Sequence, residues 1–171
     1  MIISLLGYMG SGKTHISKKL SQKINYKLFD LDDEIIKKNQ KSIAEIFTEK
    51  GEIYFRKQER EILEQILNTS EDIVLSLGGG TPAYYDNMKI INEKSKSIFL
   101  RAHISTLTER LLKRKKSRPL IAKIPEQDLP EYIAKHLFER NHFYNQAEFI
   151  VSTDYKSAEE IVKEIENLIF V

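Results

Sequence analysis

The chain has 171 residues, no cysteine, and a formal net charge of +2 from 27 basic and 25 acidic side chains. That length suits one domain with a real core, and the near balance of charge argues against nucleic acid or an anionic membrane as a partner. The missing cysteines exclude a disulfide framework and a thiolate zinc site. No apolar run reaches the roughly 20 residues that span a bilayer. No basic stretch precedes the first apolar run, as it would in a signal peptide. A soluble cytoplasmic protein is expected.

Residues 2–6, Ile-Ile-Ser-Leu-Leu, read as a short buried strand. Gly7-Tyr8-Met9-Gly10-Ser11-Gly12-Lys13-Thr14 follows and fits G-x-x-x-x-G-K-[ST]; Ile16 and Leu20 then repeat at i, i+4, as on a helix. Between a strand and a helix, the backbone N–H groups of such a loop form a nest for phosphate oxygens at the positive end of the helix. Lys13 adds a full charge for the outer phosphates, and the Thr14 hydroxyl is placed to ligate Mg²⁺. Motif and context together imply a nucleoside-triphosphate site.

Further strand-like runs at 26–29, 73–77, 98–100 and 149–151 alternate with helical periodicity, which predicts βαβ units and a mostly parallel sheet. Asp30-Leu31-Asp32-Asp33 directly follows the second run. Strand alternation predicts that Asp30 and Asp32 point the same way, although capping of the next helix would use the same residue type. A phosphate loop at that edge favours metal and hydroxyl contacts, because phosphoryl transfer needs a carboxylate to orient the acceptor. Residues 31–72 read as helical throughout and predict an insertion over the strand C-termini, where open α/β sheets bind ligands. Within it, Ser42 with Glu45 predicts a capping box for a helix that stops near Gly51. Ile62, Leu63, Ile66 and Leu67 form the apolar stripe of the next helix. Thr106 with Glu109, and Ser157 with Glu160, predict two more helix starts.

The third run ends in Gly78-Gly79-Gly80, either bare backbone for a ligand to approach or a tight turn. No Asp ends this strand, so Ser76 or Asp30 is expected to reach a metal through water. Arg56, with Glu59 nearly one turn on, is either a surface ion pair of little value or a two-point clamp for a carboxylate. The basic run 113–119 lies in an irregular interval, 113–127, expected to form a mobile loop. Without interleaved aromatics it reads as a cationic lid over a triphosphate, with Arg118 the working residue. Arg140, by position alone, reads as a surface arginine. His15, His103, His136 and His142 show no metal-site spacing.

In order, the loop at 7–14, Asp30 with Asp32, Phe55-Arg56, Gly78-Gly79-Gly80, Arg118-Pro119-Leu120 and Arg140 resemble the shikimate kinases, over nearly the whole chain. The resemblance implies a three-layer α/β/α P-loop sandwich with a five-stranded parallel sheet. It implies one domain, 1–171, with a helical substrate-binding insertion at 31–62 and a lid at 113–127. The implied activity is ATP-dependent phosphorylation of the 3-hydroxyl of shikimate, a step of aromatic amino-acid biosynthesis. ATP and Mg²⁺ would be required, and the chain would act as a monomer, with no nucleic-acid or membrane partner.

By the same resemblance, ATP phosphates lie on Gly10, Ser11, Gly12, Lys13, Thr14 and His15. Lys13 acts on the transferred group, and Thr14 and (through water) Asp30 hold the metal. Asp32 orients or deprotonates the attacking hydroxyl, while Arg56 and Arg140 grip the shikimate carboxylate beside Gly78, Gly79 and Gly80. Arg118 closes with the lid and joins Lys13 and Asp32 in catalysis. The stretch 153–157 departs from the pattern: it lacks the Arg and Pro that many members place against adenine, leaving Arg110 as a possible partner. Two rival readings stay open. One is a related P-loop kinase for gluconate or a nucleotide; the other is an ATP-binding switch without turnover.

Overall fold

The computed structural model describes residues 1–171. Five strands, β1 (Ile2–Leu6), β2 (Lys27–Asp30), β3 (Ile73–Ser76), β4 (Lys96–Arg101) and β5 (Phe149–Ser152), form one sheet in the order β2-β3-β1-β4-β5. Every pairing is parallel, as the alternation of elements predicts. The two strands with a continuous apolar run, β1 and β3, are buried at every position. That is the pattern of strands covered on both faces.

On one side of the sheet Ile3, Leu5, Val74 and Leu100 pack with Ile16 and Leu20 of α1 (Lys13–Ile24) and Ile161 and Ile165 of α8 (Ala158–Ile169). The larger core joins Leu6, Leu75 and Phe99 to α2 (Leu31–Asn39), α3 (Ile43–Leu67), α4 (Asn87–Lys94), α5 (Ile104–Lys113), α6 (Pro119–Ala122) and α7 (Leu129–Tyr144). The result is the three-layer α/β/α sandwich. Because β3 and β4 flank β1 on opposite sides, the crossovers diverge at β1, and the crevice beyond its C-terminus is where such a sheet binds ligands. No helix is long and apolar enough to cross a membrane.

Local signals account for most helix ends. Ser42 and Glu45 form the expected reciprocal capping box, as do Ser157 and Glu160. Gly51, at φ 82 and ψ 172, interrupts the helical path, and α3 resumes in a new direction with Ile62, Leu63, Ile66 and Leu67 buried. Two expectations need correction. Helix α5 begins at Ile104, two residues before Thr106, because Asp154 accepts the His103 N–H at 3.1 and 3.2 Å. A carboxylate from the end of β5 thus does what a local Glu would do in a capping box. The interval 113–127 is also more ordered than a loop. It holds 3₁₀ turns at Lys115–Ser117 and Glu126–Asp128 around α6, whose Ile121 is fully buried. Pro119 starts α6 with its φ already suited to a helix.

Candidate active site

A cleft of about 850 Å³ opens at the C-terminal edge of β1, β2 and β3. Its floor is the phosphate loop. Gly12, at φ 96, turns the chain into α1, and Gly10, at φ 82, leaves Leu111 only 3.1 Å from where a Cβ would sit. Substitution at either glycine would strain the loop. The Lys13 ammonium folds back over the loop and donates to the Gly7 carbonyl at 2.7 Å and the Tyr8 carbonyl at 3.1 Å. Burial pulls it down to about 8, partly offset by Asp32. Thr14, in the first turn of α1, and His15 also line the cleft.

Asp30 ends β2 and caps α2, accepting from the N–H groups of Asp32 at 3.0 Å and Asp33 at 3.3 Å. The capping reading is therefore realised, and one oxygen is committed to it. Asp32 is helical, so strand alternation is not what aims it; the first turn of α2 carries it into the cleft. Its carboxyl is pushed up to about 6, by burial first and then by the charges of Asp30 and Glu59, against the pull of Lys13 and Arg56. Burial also raises Asp30.

Arg56 is no surface residue. Its side chain is 11% exposed, it donates to Glu59 at 2.9 Å, and its guanidinium lies 3.8 Å from the Tyr84 ring centroid. Glu59, fully buried, also accepts from the Thr81 hydroxyl at 2.8 Å. The surface-pair alternative fails because Glu59 falls on the apolar stripe of α3, between Phe55 and Ile62. That spacing was the available signal. Arg56 Nε has no hydrogen-bond partner; the Glu52 carboxylate lies 3.7 Å from it. Arg140 also turns inward from α7, with its guanidinium 5.8 Å from the Tyr8 ring centroid. The surface reading of Arg140 is corrected: α7 packs across the loop and presents it to the cleft.

The three glycines after β3 bring Asp32, Arg140 and Arg56 close to one stretch of backbone. A Cβ at Gly78 would lie 3.1 Å from Asp32, one at Gly79 would lie 3.5 Å from Arg140, and one at Gly80 would lie 2.8 Å from Arg56. More than a tight turn, the run gives one carboxylate and two guanidiniums close access to backbone. The Tyr144 hydroxyl, one turn on from Arg140, donates to the Gly79 carbonyl at 2.5 Å and fixes the run from α7.

Arg118 is half-buried at the start of α6, its guanidinium disfavoured by burial and by Arg114. Arg110 is committed to structure. It donates to the Gly10 carbonyl at 3.1 Å and to Thr153 at 3.2 Å, bracing the phosphate loop against the end of β5. Its apolar and planar surface still lines the cleft with Thr153 and Lys156.

No cage of three or more His, Cys, Asp or Glu forms. Asp30, Asp32 and Glu59 nonetheless bring negative charge to the cleft that Thr14 also lines. This donor set suits a hard divalent cation that keeps most of its water and takes the rest of its ligands from phosphates, as Mg²⁺ does.

A family model described as Shikimate kinase matches residues 9–169. The shikimate kinase of Flavobacterium psychrophilum is 42% identical over 169 residues, 98% of either chain. Among solved structures, the shikimate kinase of Bacteroides thetaiotaomicron superposes with a TM-score of 0.93 at 36% identity, covering 100% of this chain and 99% of its own. That of Acinetobacter baumannii, in complex with shikimate, superposes with a TM-score of 0.88 at 26% identity, over 99% and 92%. With the phosphate loop, the paired arginines and the glycine run in one cleft, and relatives matched end to end, the chain belongs to the shikimate kinase family.

Proposed function

We propose that the chain transfers the terminal phosphoryl group of ATP to the 3-hydroxyl of shikimate, with Mg²⁺, a step of aromatic amino-acid biosynthesis. The observation that carries this reading is the glycine run: Gly78, Gly79 and Gly80 lie in turn against Asp32, Arg140 and Arg56, on the same cleft as the phosphate loop. A carboxylate gripped by two guanidiniums fixes one end of a ring, and that leaves a hydroxyl for Asp32. Positioning of this kind supplies much of the barrier reduction in phosphoryl transfer.

In this mechanism the N–H groups of residues 10–15 hold the phosphates. Lys13 leaves the Gly7 and Tyr8 carbonyls to stabilise the transferring group. The Thr14 hydroxyl and, through water, Asp30 would hold Mg²⁺, which neutralises phosphate charge. Asp32, near 6, stays largely ionised at neutral pH yet is more basic than an ordinary Asp, so it can orient the hydroxyl and take its proton. Residues 31–62 serve as the acceptor-binding segment. Residues 113–127 act as the lid that brings Arg118 onto the phosphates, and Arg110 flanks the base.

One chain supplies every lining residue of the cleft, which is consistent with a monomer, and membership of a biosynthetic enzyme family supports work in the cytoplasm. The basic run turns Lys113, Arg114 and Arg118 into the cleft, which supports a phosphate partner over nucleic acid. A coupled assay of ADP release, with shikimate, gluconate, a nucleoside or no acceptor, tests the reading. Turnover with shikimate alone is expected. Comparable turnover with gluconate or a nucleoside would favour the rival kinases, and ATP binding without acceptor-dependent ADP release would favour a switch.

A further inference from the structure

The segment after the glycine run leaves the sheet and straps back onto α3. Its 3₁₀ turn, Thr81–Ala83, is tied down by the Thr81 hydroxyl, which donates to the buried Glu59 at 2.8 Å. At the far end the Asn87 amide donates to the Thr81 carbonyl at 2.8 Å, and Arg60 donates to Asn87 at 3.0 Å. Between these ties Tyr85 takes φ 49, a left-handed backbone that a bulky side chain seldom adopts. Such strain persists where the surroundings impose it, and it clusters at functional sites. Tyr85 itself is left 57% exposed. The residue placed to use the turn is its neighbour Tyr84, whose ring centroid lies 3.8 Å from the Arg56 guanidinium.

A guanidinium held by one hydrogen bond can still turn about it. Arg56 donates to Glu59 at 2.9 Å through Nη1, whereas Nε stands 3.7 Å from the Glu52 carboxylate, too far for a hydrogen bond. What lies on its faces must therefore fix the plane of the fork. The Phe55 ring centroid is 5.0 Å away, so Tyr84 makes the closer contact, with the electron-rich face of its ring against a cation. The ring is held in turn from its other end: the Tyr84 hydroxyl donates to Glu52 at 2.6 Å, one residue past the break at Gly51. Arg56 lines the cleft and Tyr84 does not, so Tyr84 acts on a ligand there only through Arg56.

We propose that Tyr84 is a positioning residue for the acceptor: stacked on Arg56, it holds the guanidinium plane in the orientation that grips the acceptor carboxylate. This rests on the reading of Arg56 as a carboxylate clamp. A fork aligned before the ligand arrives loses less freedom on binding, so the ring raises affinity without meeting the ligand. The carboxylate is not the reacting group, so its grip is alike in ground and transition states, and a weaker grip appears in KM rather than kcat.

Steady-state kinetics of Tyr84→Ala, Tyr84→Phe and Tyr85→Asn test this, with urea unfolding to establish that each variant is folded. Tyr84→Ala should raise KM for shikimate about tenfold, with kcat and KM for ATP within about twofold of wild type. If Tyr84→Ala does not fold, Tyr84→Leu, which keeps bulk without a ring face, takes its place with the same expectation. Tyr84→Phe gives up only the Glu52 tie and should recover most of the affinity. Tyr85→Asn keeps the left-handed backbone with a residue suited to it, so KM for shikimate should not move. In an Arg56→Lys background, where no plane remains to be held, Tyr84→Ala should add little. The proposal is overturned by an unmoved KM for shikimate in the ringless variant, by an equal rise in KM for ATP, or by full additivity with Arg56→Lys. Tyr84→Phe as impaired as Tyr84→Ala, or a matching rise in Tyr85→Asn, would overturn it as well, by moving the effect to the Glu52 tie or to the backbone of the strap. A wild type with no turnover on shikimate would overturn the assigned activity and this proposal with it, whereas each of the other failures leaves that activity standing.

Discussion

Asp32 sits in the cleft with its carboxyl raised from 3.8 to about 6, by burial first and by Asp30 and Glu59 next. A raised carboxyl means that the folded chain holds the proton more tightly than the unfolded chain does. The ionised group therefore costs stability, by nothing at low pH, increasingly between about pH 4 and 6, and in full above that. At roughly 1.4 kcal/mol per unit the full cost is on the order of 2–3 kcal/mol. Asp32→Asn should accordingly stabilise the ligand-free protein by up to about 2 kcal/mol at pH 8 and far less at pH 4. Turnover should collapse while ATP binding persists, since the amide keeps shape and loses basicity. Urea unfolding at the two pH values and steady-state kinetics check both halves; lost ATP affinity with surviving turnover would move Asp32 to the nucleotide side. In the wild type, kcat/KM should fall as pH drops through about 6. For Arg56, substitution by Lys keeps a charge beside Glu59 and loses the planar fork. If the fork grips shikimate, kcat/KM should fall by the equivalent of about 2–5 kcal/mol. A shikimate amide should be poor for the wild type and little worse for the variant, the non-additivity of a direct contact. Wild-type kinetics for Arg56→Lys would leave Arg56 with a packing role only.

Among the elements, α3 carries Arg56 and Glu59 into the cleft. Its break at Gly51 lies in a region of backbone space open almost only to glycine, and a Cβ there would meet nothing within 4 Å. Any penalty for Gly51→Ala is therefore one of backbone strain, about 1–3 kcal/mol. Relief of that strain would straighten α3 and displace its first half from the segment that carries Arg56. Denaturant unfolding should show the loss, and KM should rise for shikimate more than for ATP. An unchanged KM for shikimate would separate the break from acceptor binding. The start of α5 depends on a distant residue in a comparable way. Asp154→Ala should cost about 1 kcal/mol, the usual value of a lost helix-end partner.

For the molecule as a whole, residues of 31–62, of the basic interval 113–127 and of the phosphate loop line one cleft, at the edge where β3 and β4 flank β1 on opposite sides. Arg56 and Asp32 reach the cleft from one flank and Arg118 from another, with Lys13 between charges of both signs. Filling either half of the cleft should then favour the closed arrangement that binds the other. Shikimate is expected to tighten a non-hydrolysable ATP analogue by about 1 kcal/mol, near the lower end of measured couplings. Calorimetry at several shikimate concentrations measures this, and identical nucleotide affinities throughout would show that the halves act independently.

What sequence alone determined lies where the signal is local. Strand, phosphate loop and α1 are contiguous, so the motif and its context could be read together. Ser42 with Glu45 and Ser157 with Glu160 cap within three residues, and both boxes are present. Gly51 stops a helix by its own backbone. The five parallel strands followed from the alternation of apolar runs, and the order of motifs identified the family. Tertiary structure decided what depends on the element lying opposite. Arg56 and Arg140 both looked able to sit at the surface, and packing against Tyr84 and over Tyr8 turned them inward. The start of α5 was misplaced because its partner, Asp154, is 51 residues away from His103. The basic interval 113–127 folded into short helical turns because Ile121 found a place in the core. Local propensity acts over a few residues, whereas burial and charge environment belong to contacts that only the assembled fold creates.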